Sequence, residues 1–119
     1  MKIAIAALLL AANATVVAAD APVVEDATAR QSGESWTISV TLSHPDTGWD
    51  HYADGWEILT PSGESLGIRV LAHPHVNEQP FTRSKSGIKI PSDMTQVLIR
   101  ARDNKDGWGE PTYTLDLTK

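Results

Sequence analysis

Apolar residues fall on every second position from Trp36 onward. Trp36, Ile38, Val40 and Leu42 alternate with Thr37, Ser39, Thr41 and Ser43, which is the repeat of an extended chain with one buried and one wet face. A chain whose strongest pattern has a period of two folds into sheets, and the apolar side of a sheet must be covered by a second layer. The same alternation recurs in Leu66, Ile68 and Val70, in Val97, Ile99 and Ala101, and in Tyr113, Leu115 and Leu117. Shorter apolar stretches at Val23 to Ala27, at Trp56 and Ile58, and at Ile88 and Ile90 complete a set of seven strands. Turn signals separate them: Gln31-Ser32-Gly33, Thr60-Pro61-Ser62-Gly63, Pro91-Ser92-Asp93 and Asp106-Gly107. No stretch after Asp20 carries a helical stripe. The expectation is an all-β chain, a single seven-stranded antiparallel β-sandwich. Its expected core is Trp36, Ile38, Val40, Leu42, Trp56, Ile58, Ile68, Val70, Ile88, Ile90, Val97, Ile99, Tyr113 and Leu115.

With 119 residues and no cysteine, the sequence has room for one core and no disulfide, thiolate metal site or cysteine nucleophile. Met1 to Ala19 has Lys2, an uncharged run from Ile3 to Leu10, and small residues ending Val17-Ala18-Ala19. That is the layout of a cleaved secretory signal. The run falls short of the roughly 20 apolar residues that span a bilayer. The expected organisation is therefore a signal peptide at 1–19 and a β-sandwich domain at 20–119, exported to the periplasm or secreted, with no membrane span in the mature protein. The formal charge of -5 argues against nucleic acid as a partner.

The segment Val23 to Leu117 resembles a fibronectin type III or immunoglobulin-like domain without the disulfide. The resemblance rests on Trp36 in the second strand, Trp56 opening the third, and Val97-Leu98-Ile99-Arg100-Ala101-Arg102-Asp103, which is similar to the penultimate strand of such domains. It implies a fold and no activity. The stretch His73-Pro74-His75-Val76-Asn77-Glu78-Gln79-Pro80-Phe81-Thr82-Arg83 resembles small exported bacterial proteins of unassigned function.

If successive strands reverse direction, three connections meet at the end of the sandwich reached by Leu42: Ser43 to Gly55, His73 to Ser86 and Asp103 to Glu110. All four histidines then lie there, beside Asp46, Asp50, Asp54, Asp103 and Asp106. An additional strand within Val76 to Ser84 would reverse the later directions and carry Trp108 away. In His73-Pro74-His75 the two imidazoles are two residues apart and point to one side of an extended segment, so they can share an ion. His51 supplies a third ligand and His44 a fourth candidate. Nitrogen and oxygen donors without sulfur favour Cu(II), Zn(II) or Ni(II) over Cu(I), with Cu(II) or Zn(II) the expected ion. The structural alternative has His44 and His73 as residues preceding proline in loops, and His51 and His75 bonded to nearby backbone.

A second class of function uses Trp49, Tyr52 and Trp108 as a stacking or contact surface for a glycan or an extracytoplasmic protein. These rings could also fold down to cap the sandwich. No Gly-x-Ser-x-Gly or phosphate loop is present. Asp103-Asn104-Lys105-Asp106-Gly107 misses the spacing of a calcium loop, although Asp103, Asp106 and Glu110 could hold calcium weakly. The expectation is a non-enzymatic exported binding module.

Overall fold

The computed structural model describes residues 21–109 and 112–117; the expected signal segment, its cleavage site and Glu110 lie outside them. Among the described residues eight strands follow one another: β1 (Val23–Ser32), β2 (Ser35–Ser43), β3 (Ala53–Leu59), β4 (Ser65–Val70), β5 (Phe81–Ile88), β6 (Gln96–Asp103), β7 (Gly107–Trp108) and β8 (Tyr113–Asp116). They form two antiparallel sheets, one ordered β1-β2-β5 and one ordered β4-β3-β6-β7, with β8 also paired to β6. The described residues contain no helix.

Alternation dictates the core where it is clean. In β2 the residues Trp36, Ile38, Val40 and Leu42 are buried and their neighbours are half-buried. In β6 the buried set is Val97, Ile99, Ala101 and Asp103. These two stripes belong to different sheets and meet in one cluster with Trp56, Ile58, Phe81 and Leu115. Each fully buried Ile, Leu or Val there contributes about 1.5–3 kcal/mol of transfer free energy.

The strand β4 departs from expectation by one residue. Ile68 pairs with Glu57 and Val70 with Gly55, and both Ile68 (41 % exposed) and Val70 (62 %) face solvent. Gly67 turns inward instead, because the Ile88 side chain fills the space its Cβ would take: the nearest approach would be 2.8 Å. Leu71, just past the strand, supplies the buried aliphatic group.

The strand β5 begins at Phe81, well before the expected Ile88, and Ile90 lies beyond its end. It pairs antiparallel with β2 from Leu42–Phe81 to Trp36–Ile88. The segment Val76 to Ser84 thus holds the start of this descending strand and no additional one, so the order of directions survives. Thr82, Ser84 and Ser86 alternate with Arg83 and Lys85, a repeat with almost no hydrophobic contrast. Position 87, with a φ of 72°, and a register shift between Trp36 and Ile38 restore Ile88 to the inner face.

The strand beyond the expected seven is β7. Gly107, at a φ of 79°, lets the chain turn back so that Trp108 pairs with Arg102. Trp108 therefore lies along β6, with the guanidinium of Arg100 4.3 Å and that of Arg102 5.2 Å from its ring centre.

Candidate metal centre

The inward stripe of β2 does not stop at the end of the strand. After Leu42 the next two positions of the same parity are His44 and Asp46, and both are buried. The inward stripe of β6 likewise ends in Asp103, with a side chain fully out of solvent. Two facing sheets thus each finish their apolar stripe with a polar residue at the same end of the core. The antiparallel pairing of Ala53 with Asp103 and the hydrogen bond from the Ala53 amide to Asp46 Oδ1, 3.0 Å, fix that end.

His51 arrives from the connection between β2 and β3. Its amide donates to Gly48 O, 3.2 Å, and its carbonyl accepts from Thr47 N, 3.0 Å, in a tight reversal that uses a φ of 139° at Gly48. Asn104 ties this loop to the end of β6. Its Oδ1 accepts from Tyr52 N (2.9 Å), its amide donates to Tyr52 O (3.1 Å), and its Nδ2 donates to Trp49 O (3.0 Å).

The result is a close group of His44, His51 and Asp103, whose ligand atoms all lie within 4.8 Å of one another. His44 Nε2 is 3.9 Å from Asp103 Oδ2, and His51 Nε2 is 3.5 Å from Asp103 Oδ1. The two imidazoles meet edge to face with centres 4.7 Å apart. His44 Nδ1 donates to Asp46 Oδ1 at 2.5 Å, the tautomer assigned from this bond, which leaves a lone pair on Nε2. Asp103 Oδ1 is held by the amides of Lys105 (2.9 Å) and Asp106 (2.7 Å). Buried side-chain atoms with no hydrogen-bond partner among the described residues include His44 Nε2, His51 Nε2 and Asp103 Oδ2, besides Trp56 Nε1, Arg69 Nε and His75 Nδ1, which lie outside this group. The first three belong to the same cluster.

The segment His73-Pro74-His75 lies elsewhere at this end. Its two rings are 4.6 Å apart, and His75 stacks on Phe81 at 3.9 Å with the ring planes 9° apart. The amide of His75 donates to Asp46 Oδ2, 2.8 Å. Arg83 Nη2 donates to His75 Nε2, 3.0 Å, so that lone pair is already engaged. Burial, followed by the neighbouring Arg83 guanidinium and His73 imidazole, pushes the His75 pKa below the ordinary imidazole value. His73 Nδ1 donates to Pro74 O, 2.9 Å, on the surface. The expected trio of His51, His73 and His75 is therefore not the one that converges among the described residues. His51 joins His44 and Asp103 instead, because Phe81 and Arg83 of β5 take up the ring of His75. The signal for His44 and Asp103 was present in the sequence, as the last members of the two strongest alternating stripes.

The aromatic residues divide as well. Trp49 is 66 % exposed and meets Tyr52 edge to face at 5.6 Å. Trp108 has its ring against two guanidiniums along β6, and Arg100 in turn pairs with the buried Glu57 at 2.7 Å.

No protein-family model matches the chain, and no solved structure matches it. A protein of Halomicrobium mukohataei carrying the name "Putative lipoprotein" is 39 % identical over 97 residues, an overlap of 82 % of this chain and 47 % of the relative. The chain spans about half the length of the curated relative it matches.

Proposed function

We propose that this is an exported, non-enzymatic binding module that holds a divalent transition-metal ion, Zn(II) or Cu(II), through His44, His51 and Asp103. The observation that carries this reading is the convergence of three buried lone-pair atoms with no partner. A buried polar atom without a hydrogen bond costs about 1–3 kcal/mol, and three such atoms in one group compound that cost. A cation among them removes it. Two ligands about 2.1 Å from a tetrahedral zinc lie about 3.4 Å apart; here His44 Nε2 is 3.9 Å from Asp103 Oδ2 and His51 Nε2 is 3.5 Å from the other carboxylate oxygen, Oδ1. Asp46, accepting the Nδ1 proton of His44, has the role of the carboxylate that orients a metal-bound imidazole and raises its basicity.

Export is supported by the layout of Met1 to Ala19 and by the printed name of the relative. The strand order of the two sheets favours the fibronectin type III resemblance over other sandwiches. A second reading has Trp49 and Tyr52 contact a glycan or protein partner. It is favoured by the exposure of Trp49 on a loop hydrogen-bonded to Asn104.

Titration calorimetry of untagged protein with Zn(II) and Cu(II) tests the first reading. One ion per chain is expected for the wild type and for His73→Ala, and none for His44→Ala or Asp103→Asn. Equal heats in all four proteins would refute the site.

A further inference from the structure

Three protein ligands leave a tetrahedral ion one position short; Asp106 stands just outside the close group of His44, His51 and Asp103, on the His51 side. Its Oδ2 lies 4.0 Å from His51 Nε2, and its side chain is 63 % exposed, whereas those of His44 and Asp103 are fully buried. The placement follows from the backbone. Asp103 Oδ1 accepts from both the Lys105 and the Asp106 amides, which bends the chain sharply at the end of β6 and carries the Asp106 side chain back over His51. His51 itself is 13 % exposed, so the cluster opens to solvent on the His51 side and is closed on the His44 side.

Resting on the metal reading above, we propose that Asp106 is the solvent-side fourth ligand of this centre and the group through which a divalent transition-metal ion is taken up and released. The buried, unpartnered Nε2 of His44 and Oδ2 of Asp103 show where the ion finishes. Asp106 is the carboxylate it meets first. An exposed side chain is free to swing between solvent and site, so it captures a hydrated cation, hands it to His51, and then closes the coordination sphere. The same freedom makes the ion exchangeable, in contrast to a structural zinc whose four ligands are all buried. A negative charge at the mouth of the site also raises the encounter rate with cations, an effect that salt screens.

The test uses Co(II), whose visible absorption is far stronger in four-coordinate tetrahedral sites than in sites completed by several waters. Rapid mixing of Co(II) with the wild type, Asp106→Asn and Asp106→Glu gives the association rate and the spectrum together. The expected result is uptake slowed at least ~10-fold in Asp106→Asn, with a weaker visible band and a flatter salt dependence. Asp106→Glu should recover both rate and band, and the metal-free melting temperatures of all three should agree. Identical rates and spectra for wild type and Asp106→Asn would overturn the role of Asp106 while leaving the three buried ligands standing. Absence of Co(II) uptake by the wild type would overturn the metal centre and this inference with it.

Discussion

Two histidine pairs sit at the same end of the sandwich, and the protein treats them in opposite ways. His73 and His75 occupy a loop and each has one ring nitrogen engaged: Pro74 O takes the Nδ1 proton of His73, Arg83 donates to Nε2 of His75, and Phe81 stacks on the His75 ring, while His75 Nδ1 stays buried without a partner. His44 and His51 point into a cluster where their Nε2 atoms have no hydrogen bond and face each other's ring, Asp103 and, for His51, the exposed Asp106. The sequence motif with the stronger look of a metal ligand is the one whose key lone pair is engaged. What qualifies a histidine as a ligand is an unengaged lone pair converging with others, and spacing in the chain does not report that.

Asp46 joins the two regions, and removing it should give the largest effect. Its Oδ1 accepts from His44 Nδ1 and the Ala53 amide, and its Oδ2 from the His75 amide. Asp46→Ala strands three buried donors, so the expected loss is roughly 3 kcal/mol or more, read by urea denaturation of the metal-free protein. A loss near zero would mean that the two regions are not joined through this carboxylate.

The next effect separates them. Zn(II) at a hundredfold excess over its dissociation constant should stabilise the wild type by about 2.7 kcal/mol. His75→Phe should keep that metal-dependent gain and His51→Ala should lose it, as followed by thermal melting with and without Zn(II). Protons compete with the ion for imidazole nitrogens, so the gain should also shrink in acid.

A smaller effect belongs to His75 alone. Because its folded pKa is lowered, the unfolded chain binds a proton more readily than the folded one. Its contribution is intact above the unfolded value of about 6.5 and is lost as pH falls below it. Metal-free wild type should therefore lose stability between about pH 7.5 and pH 5.5, and His75→Phe should lose less over that range. An unchanged slope in the variant would show that His75 is not held neutral.

The smallest effect is expected at Trp49. Trp49→Ala, on an exposed side chain, should shift stability by no more than about 0.5 kcal/mol and leave Zn(II) binding intact. A large loss of metal affinity would show that the aromatic loop and the metal cluster act together, and would favour a shared binding face.

Much of this arrangement is legible in the sequence, and the part that is not has physical causes. The alternation in β2 and β6 predicts their inner faces residue by residue, and continuing it by one and two steps reaches His44, Asp46 and Asp103. The alternation at Leu66, Ile68 and Val70 misleads, because the inward place beside Ile88 admits only Gly67. The start of β5 is hidden among Thr, Arg, Ser and Lys, whose inward side is covered in part by the Lys85 stem. That hidden strand is also what decides the fate of His75, since it carries both Phe81 and Arg83. For Trp108 the sequence leaves two outcomes open, an exposed contact or a ring folded down; the turn at Gly107 folds it back along β6, with two guanidiniums against its ring.

The most direct test of the central claim is anomalous diffraction at the zinc edge from crystals of untagged protein grown with Zn(II). The account predicts one strong peak per chain, within bonding distance of His44 Nε2, His51 Nε2 and a carboxylate oxygen of Asp103. A peak on His73 or His75 with none in the buried cluster, or no peak at all, would contradict it.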